Sequence, residues 1–117
     1  MTRVLIAGLG NMGLSHALAH HRHPDARIVG RVNRCGRMDP PALLGYPAYT
    51  DFRAALAETN PDLVVVATYS DSHADFACAA VEAGAHDSVE KPLATTVADA
   101  RRVVAKAVET GRKLVIG

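Results

Sequence analysis

Aromatic residues and net charge are both scarce in this 117-residue sequence. It contains no tryptophan, aromatic residues make up 4% of it, and its formal net charge is +1. A nucleic-acid-binding protein usually combines a basic stripe with aromatic side chains that stack on bases. No window of this sequence has both, so we expect no nucleic-acid partner. A core of Ala, Val and Leu is instead typical of helices packed closely on a sheet.

Cysteines and long apolar runs are also few. Cys35 and Cys78 form no C-x-x-C pair, which argues against a disulfide framework and a zinc site and fits a reducing compartment. No apolar run approaches the roughly 18 residues of a membrane span. The stretch from Val4 to His21 lacks Asp, Glu, Lys and Arg, as a signal peptide does, but glycines interrupt its apolar run. We therefore expect a folded cytoplasmic domain with no membrane partner.

Short apolar runs alternate with helical patterns along the whole chain. Strands are predicted at residues 4–7, 28–32, 63–67, 86–90 and 114–116, with a weaker one at 47–50. Between them, Asp51, Ser72 and Thr96 are predicted to cap helices, and Gly84 and Gly111 to end them. Such alternation implies parallel strands joined by right-handed crossovers. The predicted fold class is α/β, a doubly wound, mostly parallel sheet of about six strands with helices on both faces, which is a Rossmann fold.

The segment G-L-G-N-M-G at positions 8–13 has the pattern G-x-G-x-x-G and follows the first predicted strand directly. In that place Gly8 would form the tight turn, Gly10 would let the backbone approach a pyrophosphate, and Gly13 would let the helix pack on the strand. Free amides at the start of the helix, around Asn11 and Met12, would receive the phosphates. A glycine-rich turn alone is weak evidence, but its position in the first β-α unit favours dinucleotide binding over a structural turn.

The residue expected to hold the ribose of the dinucleotide is not acidic here. About 20 residues after the last glycine, such folds carry an Asp or Glu that bonds the ribose 2′-hydroxyl. This sequence has Asn33 there, followed by Arg34 and, nearby, Arg37. A neutral donor with an arginine favours a 2′-phosphate, because guanidinium pairs with phosphate in a two-pronged geometry. We expect NADP to be preferred over NAD, against the plainer interpretation that Arg34 and Arg37 are solvated loop charges.

Further segments accompany the glycine motif: Y-T-D-F-R-A-A-L at 49–56, P-D-L-V-V-V-A-T at 61–68, H-A-D-F-A-C-A-A-V-E-A-G at 73–84 and V-E-K-P-L-A-T-T at 89–96. With these segments across nearly the whole chain, the sequence resembles the N-terminal domain of the Gfo/Idh/MocA oxidoreductases, named for glucose-fructose oxidoreductase and inositol dehydrogenase. The resemblance implies a domain that binds NAD or NADP. It also implies a second α/β domain that binds a sugar, polyol or related small-molecule substrate and makes most contacts of any homo-oligomer.

The second domain has no counterpart in these 117 residues. We therefore expect residues 1–117 to be a dinucleotide-binding domain, ending before the substrate and oligomerisation domain, that binds cofactor without turnover by itself. A non-catalytic NAD(P)-binding or redox-sensing module is the alternative. Binding of S-adenosylmethionine to the glycine motif is a third hypothesis, but it does not account for the segment Glu90-Lys91-Pro92.

The Glu-Lys-Pro segment is where the resemblance implies catalysis. Lys91 is implied to reach the nicotinamide and the substrate hydroxyl, while Glu90 holds its position and Pro92 fixes the turn. The physical argument agrees, because an ammonium at the carboxyl edge of a parallel sheet lies where such folds bind ligands and can exchange a proton with a carbinol oxygen. The plainer interpretation is a solvated lysine at a strand end.

The residues after the fourth predicted strand are further candidates for cofactor contacts. Thr68 ends that strand, and Tyr69 and Ser70 stand where the family commonly has Pro and Asn. The resemblance makes all three candidate contacts along the adenosine or nicotinamide ribose. His73, which the family shares, either lines the cofactor cleft or packs or caps in the first turn of its helix.

Two features have no functional interpretation from the sequence. Asp87 and Ser88 are polar in a strand that should be buried, and each unpartnered buried polar group costs roughly 1–3 kcal/mol. His16 and His20 have the i, i+4 spacing of metal ligands, but the glutamate of H-E-x-x-H is absent and no residue completes a ligand shell. We predict no metal site and assign these histidines to the C-terminal dipole of their helix.

Overall fold

The computed structural model describes residues 1–9, 11–33 and 41–117, without the side chain of Asn11. The predictions about Gly10, Arg34 and Arg37 lie outside the described residues. None of the helices in the described part of the chain has the length and apolar character needed to cross a bilayer.

The described residues form six strands and four α-helices. The strands are β1 (Thr2–Ala7), β2 (Ala26–Val32), β3 (Ala48–Tyr49), β4 (Leu63–Val66), β5 (His86–Val89) and β6 (Leu114–Ile116). The helices are α1 (Asn11–Arg22), α2 (Phe52–Thr59), α3 (His73–Glu82) and α4 (Val97–Thr110), with 3-10 turns at Pro41–Leu43 and Ser70–Ser72. All the predicted strands are present, and Gly84 and Gly111 follow the ends of α3 and α4 as predicted.

All paired strands of the sheet run parallel, in the order β3-β2-β1-β4-β5-β6. The chain builds outward from β1 to β3, then crosses to the other side of β1 and builds outward again from β4 to β6. The direction of winding therefore reverses between β1 and β4. At such a switch point, the carboxyl ends of the strands leave a crevice in which ligands bind. The prediction of a doubly wound α/β fold is confirmed.

Successive side chains of the central strands enter two apolar layers on opposite faces of the sheet. Leu5 and Ala7 belong to a cluster that includes residues of α2, α3 and α4. Val4 and Ile6 belong to a second cluster, which includes Ala17 of α1. Each layer buries apolar surface that a lone sheet would expose to water, which is the main favourable contribution to folding. Helices thus cover both faces, as predicted.

Asp51, Ser72 and Thr96 all stand at the N-cap positions predicted for them, and Asp51 and Thr96 also make the side-chain capping bond. The Asp51 carboxylate accepts a hydrogen bond from the backbone N–H of Ala54 at 3.3 Å, and the Thr96 hydroxyl accepts one from the backbone N–H of Asp99 at 3.1 Å. Ser72 makes no side-chain capping bond. Because a 3-10 turn leads directly into α3, the Ser72 hydroxyl turns back and donates to a backbone carbonyl just before that turn, 2.8 Å away.

Candidate functional site

Four strands end level with one another at the carboxyl edge of the sheet. Ala7 is paired with both Val32 and Val66, and Val66 is paired with Val89. The residues directly after these strand ends therefore lie side by side along one edge, and they are Gly8, Asn33, Ala67 and Glu90. The fold thus assembles one edge from segments that are far apart in the sequence.

The glycine turn at this edge is packed too closely for side chains. Gly8 has a φ of +91°, and a Cβ there would lie 2.5 Å from the backbone oxygen of Ala67. A Cβ on Gly13 would lie 1.9 Å from the backbone oxygen of Gly8. The turn after β1 therefore lies directly against both the end of β4 and the first turn of α1. This is the geometry that the glycine motif predicts for these two positions.

Helix α1 begins at Asn11, directly behind the glycine turn. The first N–H groups of a helix have no partner within it, and they carry a partial positive charge that attracts phosphate. The first turn of α1 contains no acidic residue that would oppose an anion. Met12, in the same turn, is 55% exposed. The carboxyl edge therefore ends in a helix terminus that is suited to a negatively charged ligand.

A cavity of about 640 Å³ opens beside Gly8. Its walls come from the ends of β1, β2 and β4, the start of α2, and one side of α3. Small-molecule and cofactor sites usually measure about 300–1,000 Å³. Of the predicted site residues, the cavity brings together Gly8, Asn33, Thr68 and Tyr69. It therefore joins the glycine turn to the two strand ends on which the sequence analysis placed ribose contacts.

The cavity is also lined by charged residues that the sequence analysis did not single out. Asp51, Arg53 and Asp75 contribute to its wall. The Asp75 carboxylate accepts a hydrogen bond from the guanidinium of Arg102 at 2.8 Å, whereas Arg53 is an exposed cation in the same cavity as Asn33. Arg53 lies in the segment at 49–56 that carries the family resemblance, two residues after the predicted cap, and neither feature assigns it a role.

The other predicted residues lie outside the cavity wall. Ser70 begins the 3-10 turn before α3 and is exposed, and Gly13 is buried behind Gly8. Lys91 and Pro92 are exposed on the turn after β5. Among the described residues, the Lys91 ammonium has no hydrogen bond or ion pair. Its charge is therefore accessible to a ligand from the side of the carboxyl edge.

His73 is a buried residue that joins two loops. It is 2% exposed, and its Nδ1 lies 2.7 Å from the backbone oxygen of Pro92 while its Nε2 lies 3.0 Å from that of Thr68. A neutral imidazole donates only one of these bonds, and both form when both ring nitrogens carry protons. His73 thus connects the turn after β5 to the end of β4, and of the two predicted roles its position corresponds to packing in the first turn of its helix.

Glu90 contacts a histidine that the sequence analysis assigned to another role. Its carboxylate accepts a hydrogen bond from Nε2 of His16, a residue 74 positions away. The side chains of Glu90 and His16 are 12% and 29% exposed, so the pair is partly shielded from water. His16 lies in the middle of α1 rather than at its C-terminus. Its assignment to the helix dipole is therefore wrong.

The histidines of α1 do not converge on a common point. His20 Nδ1 donates to the backbone oxygen of His16 at 2.8 Å, while the His16 ring bonds the Glu90 carboxylate. Within residues 1–9, 11–33 and 41–117, no group of three or more His, Cys, Asp or Glu side chains is placed to hold a metal ion.

Asp87 is a second carboxylate, three residues before Glu90 and inside β5. It does not line the cavity beside Gly8. It is 1% exposed, and neither carboxylate oxygen has a hydrogen-bond partner among the described residues. Burial raises the pKa of Asp87 from its ordinary 3.8 to about 8, so the side chain is mostly protonated at neutral pH. Ser88, the neighbouring polar residue, is half-buried on the opposite face of the strand.

Comparison with known protein families gives one match over almost the whole chain. Residues 2–117 match the model of a family described as oxidoreductase family, NAD-binding Rossmann fold. A curated relative, 4-carboxy-2-hydroxymuconate-6-semialdehyde dehydrogenase of Sphingobium sp. strain NBRC 103272 / SYK-6, is 34% identical, and the match covers 98% of this chain and 38% of the relative.

Solved structures share the fold over the same range. Biliverdin reductase of Synechocystis sp. PCC 6803, solved with biliverdin and NADP+, has a TM-score of 0.90 at 26% identity, covering 98% of this chain and 37% of that one. The WlbA dehydrogenase of Bordetella pertussis, solved with NADH and UDP-GlcNAcA, has a TM-score of 0.86 at 30% identity, covering 99% and 34%. The chain thus spans little more than a third of the length of these proteins.

Proposed function

Because the chain belongs to this oxidoreductase family with an NAD-binding Rossmann fold, the Gfo/Idh/MocA family, we propose that it serves a dehydrogenase of a sugar, polyol or related carbinol. In this proposal, residues 1–117 are the dinucleotide-binding domain. The observation that carries it is the cavity beside Gly8, at the point where the winding of the sheet reverses. Doubly wound folds bind dinucleotides at this point.

The residues at the carboxyl edge fit a dinucleotide. The turn after β1 packs at Gly8 and Gly13 directly against protein backbone, which holds the start of α1 at the edge where its amides would receive a pyrophosphate. The cavity beside the turn has the volume for a nucleoside part. When bound, a nicotinamide supplies the group that accepts or donates the hydride.

Lys91 is the residue we propose as catalytic. Its exposed ammonium lies on the turn that follows β5, at the same edge as the glycine turn. There it would hydrogen-bond the oxygen of a carbinol substrate and exchange a proton with that oxygen as hydride leaves the neighbouring carbon. The absence of an ion pair to Lys91 among the described residues supports this role, because the ammonium is not engaged elsewhere.

We also propose that NADP is preferred over NAD. Asn33 lines the cavity where an acidic residue would repel a 2′-phosphate. Arg53 shares that cavity, and Arg34 follows Asn33 in the sequence. Guanidinium groups bind phosphate in two-pronged contacts. Related structures contain either cofactor, since biliverdin reductase was solved with NADP+ and WlbA with NADH.

The substrate-binding part is proposed to lie outside these 117 residues. The chain corresponds to 38% of the related dehydrogenase and 34% of WlbA. A further domain would supply the substrate pocket, the remaining catalytic groups and most contacts of a homo-oligomer. We therefore expect the 117-residue chain to bind its cofactor but not to turn over substrate.

Calorimetric titration with NADP and NAD tests this proposal with a pair of glycine variants. Gly13→Ala places a methyl group 1.9 Å from the backbone oxygen of Gly8, whereas the same substitution at Gly45 meets open space. We expect Gly13→Ala to weaken NADP binding by at least about tenfold, or roughly 1.4 kcal/mol, and Gly45→Ala to leave it unchanged. Circular dichroism checks that both variants are folded. Equal affinity of a folded Gly13→Ala variant and the parent chain would refute the site.

The cofactor preference has its own variant. Arg34→Ala should weaken NADP binding by about tenfold and leave NAD binding unchanged, because only NADP carries the 2′-phosphate. An unchanged ratio of the two affinities would contradict the assignment of Arg34. Repeating the titration with Arg53→Ala separates the contributions of the two arginines. S-adenosylmethionine serves as the ligand that should not bind.

A further inference from the structure

The turn that carries Lys91 has no regular structure of its own. Residues 90–96 connect β5 to α4 without forming helix or strand, and Lys91 and Pro92 are exposed. A flexible side chain on such a turn samples many positions, and restricting it costs conformational entropy. The contacts of the two flanking residues, Glu90 and Pro92, therefore decide how closely the ammonium is held.

Glu90 is held through both its backbone and its side chain. Its backbone N–H donates to the oxygen of Val66 in β4 at 2.9 Å. Its carboxylate accepts the hydrogen bond from His16 Nε2. A charge-assisted bond that is partly shielded from water is stronger than one between exposed partners. Helix α1 thus holds the residue that immediately precedes Lys91.

Pro92 is held from the other side of the turn. Its backbone oxygen lies 2.7 Å from Nδ1 of His73, whose ring also contacts the backbone oxygen of Thr68. His73 is buried, so its ring is fixed by the surrounding packing. Lys91 is therefore the exposed middle residue of a turn whose two neighbours are both anchored by histidines.

We propose that His16 is a positioning residue which, through Glu90, fixes the place of the Lys91 ammonium relative to the glycine turn. The role given to Lys91 rests on the proposed function, but the linkage itself, a hydrogen bond from His16 to Glu90 and the peptide bond from Glu90 to Lys91, involves no cofactor. His16 suits this role because α1 begins directly behind the glycine turn. The same helix therefore presents its free amides to the phosphates and holds the turn that carries the lysine.

Nuclear magnetic resonance of methylated lysines measures the position of Lys91 in the chain as it exists. The sequence has lysines at positions 91, 106 and 113. Reductive methylation with ¹³C-formaldehyde labels all three and preserves their charge, and Lys→Arg variants assign the resonances. Lys106, which contacts the Glu82 carboxylate at 3.2 Å, and Lys113 serve as internal references for the fold.

We expect His16→Ala and Glu90→Met each to shift and broaden the Lys91 resonance while the reference resonances stay in place. In the Glu90→Met background, His16→Ala should cause no further displacement, because the contact that it breaks is already absent. His16→Gln keeps an N–H donor and should restore most of the original position. His20→Ala, a matched substitution one turn later on the same helix, should change nothing.

An unmoved Lys91 resonance in folded His16→Ala and Glu90→Met variants would overturn the proposal. Equal displacement of all three lysine resonances would overturn it too, since that would show a general loss of structure. If His16→Ala does not fold, Glu90→Met provides the test, because it preserves the length of the side chain.

Titration with NADP then separates the proposed function from the positioning role of His16. A chain with the coupled resonances that binds neither NADP nor NAD contradicts the proposed function alone, whereas cofactor binding with an unmoved Lys91 contradicts the positioning role alone.

Discussion

Two carboxylates close together in the sequence have opposite surroundings. Glu90, directly after β5, has its carboxylate bonded by His16 of α1. Asp87, within β5, is 1% exposed, and neither of its oxygens has a hydrogen-bond partner among the described residues. Burial raises the pKa of Asp87 to about 8. Glu90 thus has a partner on a neighbouring helix, whereas the described residues enclose the Asp87 carboxylate without giving it one.

The difference follows from where each side chain lies relative to the edge of the sheet. At the carboxyl edge, the strand has ended and a side chain from α1 can reach Glu90. Asp87 lies between β4 and β6, on the same strand face as Val89 of the apolar core. A buried neighbour on α3, the Cys78 thiol, has a pKa that burial raises. A polar side chain at the edge of the sheet can thus find a hydrogen-bond partner on a neighbouring helix, whereas one buried inside the strand lowers the stability of the fold.

Replacing Asp87 should have the largest effect on stability. Below about pH 3.8 the carboxyl is protonated in both states, and as pH rises toward 8 it ionises in the unfolded state first. Stability therefore falls with rising pH, by up to about 1.4 kcal/mol per unit. Asp87→Val should raise the free energy of unfolding by about 1.5 kcal/mol at pH 5 and about 4 kcal/mol at pH 7.

Urea denaturation at both pH values measures this change, with Asp87→Asn as the matched control. The asparagine variant keeps a polar side chain of similar volume but cannot ionise, so it should lose the pH dependence without gaining the full stability. A pH dependence that is the same in the parent chain and in Asp87→Asn would show that Asp87 has a partner or reaches water.

The matching replacement at Glu90 should have the opposite sign. Glu90→Met removes the carboxylate that accepts the bond from His16, and we expect the free energy of unfolding to fall by about 1.5 kcal/mol. Denaturation at pH 7 checks this value beside Asp87→Val. If Glu90→Met and Asp87→Val both stabilised the chain, the Glu90 carboxylate would contribute no more to stability than the unpartnered Asp87 carboxylate, which would contradict the comparison.

Asp51 adds a smaller and more exposed case of a carboxylate with a partner. It caps α2 by accepting a bond from the backbone N–H of Ala54, so Asp51→Ala should cost about 1 kcal/mol. Glu109 forms an ion pair with the Lys106 ammonium at 3.6 Å on the surface, and Glu109→Ala should change stability by less than about 0.5 kcal/mol. Thermal melting of the two variants at the same pH compares them, and equal losses would remove the special role of the cap.

The features that the sequence predicted correctly depend on local signals. Most strands are visible as apolar runs, although β5 contains the polar residues Asp87 and Ser88. The close packing at Gly8 and Gly13 follows from a pattern whose spacing reflects one turn of backbone. The caps at Asp51 and Thr96 were visible for the same reason. Ser72 occupies the predicted N-cap position, but the 3-10 turn before α3 changes the direction of its hydroxyl, so the capping bond does not form.

The features that the sequence missed depend on contacts between distant segments. The bond between His16 and Glu90 joins residues 74 positions apart, and their spacing carries no signal that local patterns can show. Arg53 joined the cavity only because α2 starts beside the end of β2. Asp87 was recognised as anomalous in the sequence, and the described residues still supply no partner for it. The roles of Lys91 and Arg34 remain predictions.

The central claim is that a dinucleotide binds at the carboxyl edge of the sheet, and amide chemical shifts of the ¹⁵N-labelled chain during titration with NADP test it most directly. We predict saturable shifts at Gly8, Asn33, Thr68 and Lys91, and unchanged amides at the opposite edge, where the backbone N–H of Lys113 donates to His86 Nδ1. Absence of saturable shifts, or shifts centred on Lys113 and His86, would contradict the account.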